Sequence, residues 1–151
     1  MAATDATAVV RKYFATLDRL GQHPTSRLSS LASVTTSTEL TAERAFLRAQ
    51  HRRGERQVGN TRIAHLKVQS VNLDNSDPTA GRVPTVSIDV CWDVSKVDVV
   101  DRTGKSIVSP NRADSRWTRY DVANYHYRAN PSNGWRVADA HDLKATPCAV
   151  S

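Results

Sequence analysis

The hydrophobic period of this chain changes once, near Thr61, and that change limits its architecture more than any other feature. Before it, apolar residues recur at helical spacing; after it, they alternate. Residues 4–20, "TDATAVVRKYFATLDRL", place Ala6, Val9, Val10, Tyr13, Phe14, Leu17 and Leu20 on one helical stripe. Thr4 or Asp5 offers an N-cap acceptor, and Gly21 stands where a left-handed C-cap residue belongs. Pro24 opens a second, shorter helix over "PTSRLSSLA", in which proline suits the first turn and Leu28 and Leu31 supply an apolar step. "TSTELTAERAFLRAQHRRG" predicts a third, with a capping box from Thr36 to Glu39. Ala42, Ala45, Phe46 and Ala49 share its apolar face, and Gly54 ends it.

Beyond Thr61, "TRIAHLKVQSVNL" alternates imperfectly and "TVSIDVCWDV" cleanly. In the latter, Val86, Ile88, Val90, Trp92 and Val94 fall on one face, and Thr85, Ser87, Asp89, Cys91 and Asp93 on the other. "DRTG" is a turn signal, so residues 97–109 are expected to bend into a small hairpin. "RWTRYDVANYHYR" and "GWRVADAHDL" complete the strands, separated by the turn-rich "ANPSNG", while residues 74–84 read as a loop between adjacent strands. Helices first and antiparallel strands after predict an α+β fold. Three N-terminal helices would pack on one face of a curved sheet of four or more strands, one domain over residues 1–151.

The apolar runs are far shorter than the roughly 20 residues a bilayer span requires, so no transmembrane segment is expected. The chain as it stands carries no basic and apolar leader, which leaves a cytosolic protein or an exported one whose signal has been removed. Its 21 Lys and Arg against 15 Asp and Glu give a charge of +6, a field that favours anionic partners. Sixteen of those cations are arginines, which fork onto carboxylates and phosphates but are also what a GC-rich genome encodes. The densest run, "RAQHRRGER", sets Arg48, His51, Arg52, Arg53 and Arg56 at the end of the third helix, with Arg62 close behind. These arginines are the candidate anion site, for lipid headgroups, wall polymers or an acidic protein. Complementing the helix dipole is the alternative role. Nucleic acid is disfavoured, because the run lacks interleaved aromatics.

The order of three helices and four long antiparallel strands resembles the cone-shaped nuclear transport factor 2-like fold, shared by SnoaL-type cyclases and ketosteroid isomerases. "CWDVSKVDVVDRTGKSIV", "RADSRWTRYDVANYHY", "GWRVADAHDL" and the terminal "PC" further resemble small secreted proteins and lipoproteins of actinobacteria with that fold, from about Thr4 to Cys148. The resemblance implies a disulfide between Cys91 and Cys148 that staples the tail to the sheet, worth roughly 3 to 5 kcal/mol by the chain-entropy argument. A stable bridge in turn implies an oxidising, extracytoplasmic compartment, secreted or lipid-anchored. The alternative is two reduced thiols, with Cys91 packed as a small hydrophobe.

Enzymes of this fold work inside the cone, with an aspartate or histidine base opposite a polarising tyrosine or acid. His65, Asp89, Asp93, Tyr120, Asp121, His126, Asp139 and His141 lie on predicted strands, but strands place charged residues on the solvated face, which is where Asp89 and Asp93 are expected. Five scattered histidines and two distant cysteines lack metal-ligand spacing, and "DRTGKS" lacks the leading glycine of a phosphate loop and reads as a β-turn. No catalytic residue, metal or cofactor is assigned; Tyr13, Trp92, Tyr120 and His126 are the residues expected to line a pocket in the cone. The reading is a non-enzymatic extracytoplasmic binding or assembly module. Its partner would be a protein or an anionic surface, and it could form a homodimer through the sheet. A SnoaL- or isomerase-type enzyme comes second, and a phage-encoded virion or assembly protein third, the last placing the chain in a virion or the cytoplasm.

Overall fold

The computed structural model describes residues 1–143 and Cys148. Helix α1 (Ala2–Gln22), a 3-10 helix (Leu28–Ser33) and helix α2 (Ser37–Arg52) precede strands β1 (Arg56–Val58), β2 (Arg62–Asn72), β3 (Thr85–Asp93), β4 (Asp98–Val100), β5 (Ser115–Asn124) and β6 (Trp135–Asp142). The four long strands form one antiparallel sheet in the order β2-β3-β5-β6, and β1 and β4 make a separate antiparallel pair. The α+β architecture is therefore as the period change predicts. Bulges between Ile63 and His65, Val68 and Ser70, and beside Asp121 and Val122 interrupt the ladders. Each adds twist, which curves the sheet around its helices.

The core forms where the α1 stripe meets the inner face of the sheet. Val10, Tyr13 and Phe14 pack against Val86, Ile88 and Val90 of β3, Tyr120 and Val122 of β5, and Trp135 and Val137 of β6. The rings of Tyr13, Phe14 and Tyr120 stand edge to face in a mutual triangle, with centroids 5.3, 5.5 and 5.6 Å apart. A second cluster, Leu20, Leu31 and Leu47, joins the three helices.

Several local expectations are corrected. Helix α1 begins at Ala2 rather than at a Thr4 or Asp5 cap, and Gly21 is buried within its last turn. A Cβ there would lie 2.9 Å from Gln57 Oε1 and 3.2 Å from Gln57 Cβ, so a larger residue would have to push that side chain aside. The second helix is 3-10 and starts at Leu28, past Pro24. Thr36 precedes α2 in extended backbone without capping it; its N–H donates to the Val137 carbonyl at 2.9 Å, and Thr35 bridges Val137 in parallel, so this stretch is spent pairing with β6. Glu39, the expected return partner of the capping box, turns inward instead. The buried face of α2 is Glu39, Leu47 and Gln50, leaving Phe46 58% exposed, the reverse of the alanine-and-Phe46 face predicted. Residues 97–109 do turn back, but β4 takes its partner from β1 and returns only through a Val100–Ser106 bridge. Gly59 permits this pairing: at φ +86° its Cβ would collide with the Lys96 carbonyl.

Candidate functional site

A groove of about 710 Å³ runs between α1 and the start of β2. Three cations, Arg11 and Arg19 of α1 and Arg62 of β2, rim it, and Phe14, Ala15 and Ile63 contribute apolar lining. One wall is fixed by Asp18 of α1, which is buried and accepts from Gln57 Nε2 (2.7 Å), Thr61 N (3.0 Å) and Thr61 Oγ1 (2.8 Å). Gln22 Nε2 donates to the Gly59 carbonyl (2.9 Å) and to Asn60 Oδ1 (2.7 Å), so the β1–β2 turn is held to the helix along two turns. Arg62 is committed to Asp93 at 2.7 Å. The Ser95 N–H and hydroxyl, then Arg62, hold the Asp93 carboxyl down at about 2. Arg11 has no carboxylate partner among the described residues. Arg19 has none among them either, its Nη2 donating to Ser30 Oγ at 3.3 Å, so the rim sets two arginines beside an apolar lining, an arrangement suited to an anion that carries a hydrophobic portion.

The basic run at the end of α2 is divided. Arg53 is neutralised by Glu55, Nε to Oε1 at 2.7 Å, while Arg48, Arg52 and Arg56 are exposed. Arg102, which the sequence reading passed over, closes the helix terminus by donating to the carbonyls of Arg53 (3.2 Å) and Arg52 (3.1 Å). His51 leaves the patch and pairs through Nε2 with the Leu20 carbonyl at 2.8 Å. Of the five predicted anion ligands, Arg62 lies on the groove and the other four cluster at the helix end. Beside them Phe46, Val99 and Ile107 line a second groove of about 430 Å³.

The pocket residues predicted for the cone separate. Tyr13 and Tyr120 meet, but as buried core rings rather than a lining. Trp92 packs against the core edge and donates to Thr118 Oγ1 at 2.9 Å, and His126 is exposed in the β5–β6 connection. Beneath the rings lies a feature that the sequence reading missed. The Tyr13 hydroxyl donates to Glu39 Oε1 and stands 3.3 Å from Glu43 Oε1, one helical turn on. Burial, then the Glu39 charge and hydrogen bond, push the Glu43 carboxyl up to about 7. Burial also holds the hydroxyls of Tyr13 and Tyr120 well above their ordinary range. The i, i+4 spacing of the two glutamates was legible, but it reads as solvated helix surface until the fold turns it inward.

The outer face of the sheet holds the other candidates. Cys91 and Cys148 are joined, with Cα atoms 6.0 Å apart, and both are buried. His65 and Trp117 flank Cys91 in register, their rings stacked at 6.2 Å. Asp89, expected in solvent, is buried and forked by Arg119 at 2.7 and 2.9 Å; a strand's polar face is here covered and its charge paired. Asp121, Asp139 and His141 come together on β5 and β6. Asp93 sits apart at the end of β3, with Arg62. Edge strand β2 leaves Val68 and Val71 exposed, as is Leu73 just past its end. No helix among the described residues is long and apolar enough to cross a membrane.

No protein-family model matches the sequence, and no curated protein matches it either. Among solved structures the chain is similar to one described as the intermembrane space region of the chloroplast protein ARC6, at a TM-score of 0.63 and 17% identity, over 96% of this chain and 98% of that one. At that identity the likeness is one of fold.

Proposed function

We propose that this domain is a non-enzymatic, extracytoplasmic binding or assembly module whose groove between α1 and β2 takes an anionic partner, an acidic protein segment or an anionic surface. The observation that carries the reading is the rim of Arg11, Arg19 and Arg62 around an apolar lining that includes Phe14 and Ile63. Guanidinium groups gain most against carboxylate or phosphate, and apolar lining beside them selects a partner with both characters. The Cys91–Cys148 bridge supports an oxidising compartment, and the structural neighbour is itself a region of an intermembrane space. Helices laid on a curved antiparallel sheet support the nuclear transport factor 2-like cone as the finer description of the fold.

An enzyme of the cyclase or isomerase type is the second reading, and one observation favours it: a carboxyl at Glu43 raised to about 7 beside Tyr13 is the kind of pairing that general acid–base chemistry uses. The binding reading is tested with phosphatidylglycerol vesicles and with a peptide alternating glutamate and leucine. Replacing Arg11 and Arg19 by glutamine should weaken one of these several-fold and flatten its salt dependence. If only the Arg48, Arg52 and Arg56 triple glutamine variant does so, the site is the end of α2. If neither variant changes binding, the groove is not a recognition site.

A further inference from the structure

On the outer face of the sheet, Asp121 of β5 stands directly across the ladder from Asp139 of β6. Like charges directly opposite one another repel, and a sheet normally avoids the pairing. Among the described residues neither carboxylate has an ion-pair partner; the neighbouring cation Arg119 is already forked onto Asp89. His141 lies two residues beyond Asp139, on the same face by strand alternation. One ligand atom from each of Asp121, Asp139 and His141 falls within 4.8 Å of the others.

We propose that Asp121, Asp139 and His141 form a binding site for a divalent transition-metal ion of the zinc class, with open coordination positions facing solvent. An imidazole with two carboxylates is a ligand set suited to zinc and its neighbours, and metal–ligand distances of about 2.0 to 2.2 Å are reached by small rotamer adjustments from a cluster this tight. One carboxylate is already oriented: Ser87 Oγ donates to Asp121 Oδ1 at 2.7 Å, leaving its second oxygen for the ion, while Thr38 Oγ1, which donates to the Ala138 carbonyl at 3.0 Å, lies 3.3 Å from Asp139 Oδ1. An ion here would neutralise the facing pair, which Arg119, across the ladder from His141 and attracted to Asp121 but forked onto Asp89, offsets only in part. The sequence did not reveal the set, because one ligand comes from a different strand and Asp-x-His alone has no metal-binding spacing of recognised form.

The experiment is calorimetric titration of the full, untagged, oxidised chain, stripped with chelator, against zinc chloride, and against cobalt chloride with absorption spectroscopy as a second readout. Oxidised protein keeps both cysteines out of the titration. One equivalent should bind, with Asp121→Asn and His141→Gln each weakening it at least tenfold. Ser87→Ala should weaken it by about tenfold, as loss of an orienting partner does. His23→Gln, at an exposed histidine away from the cluster, should leave binding unchanged, and magnesium should not compete. Circular dichroism of each variant checks that it folds; Asp121→Asn is nearly isosteric and keeps the Ser87 contact. Absence of saturable binding, or equal binding by wild type and His141→Gln, overturns the site.

Discussion

The two faces of β3 are both buried, by different means. On the inner face Val86, Ile88 and Val90 disappear completely under aromatic and aliphatic side chains brought by α1, β5 and β6. On the outer face Cys91 is equally hidden and Asp89 nearly so, yet what removes them from water is a covalent bond to Cys148 and a two-pronged ion pair with Arg119. Apolar burial is non-directional and tolerates repacking, whereas burial of a carboxylate demands a partner at the right place. The inner face is thus secured by area and the outer one by specific partners, and each should fail in its own way.

The largest effect should come from the inner face. Trp135 is fully buried and its Nε1 donates to the Pro131 carbonyl at 2.9 Å. Trp135→Ala should cost about 3 to 5 kcal/mol, a fall in melting temperature on the order of 10 °C by thermal circular dichroism. A change of only a degree or two would mean that the inner face does not hold the fold together. Reduction tests the outer face. Opening the Cys91–Cys148 bridge frees a loop of 57 residues and should cost roughly 2 to 4 kcal/mol, measured as the difference in urea midpoint between oxidised protein and the Cys91→Ser, Cys148→Ser variant. Near-ultraviolet circular dichroism of the aromatic core should stay the same in both; if it collapses, the two faces are not independent.

The smallest effect sharpens the comparison, because it concerns the one place where the helical side behaves like the outer face. Glu43 keeps its proton in the folded protein up to about pH 7 but loses it near 4.5 when unfolded. A raised acid favours folding in its protonated form. Its contribution is therefore complete below about 4.5, declines as pH rises toward 7 and is absent above. Denaturant titrations across that range should show stability falling with rising pH, and Glu43→Gln should remove most of the slope. An unchanged slope in the variant would assign the pH dependence elsewhere.

Much of the scaffold was legible from single residues. The α1 stripe of Val10, Tyr13 and Phe14, the alternation of Val86, Ile88 and Val90, and the turn before Trp135 all record local geometry, and α1, β3 and the start of β6 formed where those patterns placed them. The candidate sites were legible only in part. Arg48, Arg52, Arg53 and Arg56 are neighbours in sequence and remain neighbours in space. Arg11 and Arg19 were unremarkable until the β1–β2 turn, held by Asp18 and Gln22, brought Arg62 across from them.

By itself the sequence determined the order of helices and strands and which face of β3 is apolar, and with only two cysteines it left Cys91 and Cys148 as the one pairing open to a disulfide. Tertiary structure decided that α2 presents Glu39 and Leu47 inward while Phe46 faces water, that β4 pairs with β1, that Asp89 is covered, and that Asp121 faces Asp139 beside His141. The division has a physical cause. Hydrophobic periods report which side of an element seeks burial, a property of consecutive residues. Buried carboxylates, strand partners and cross-strand clusters depend instead on register between segments far apart in the chain, and three bulges in the main sheet shift that register in ways no local pattern encodes.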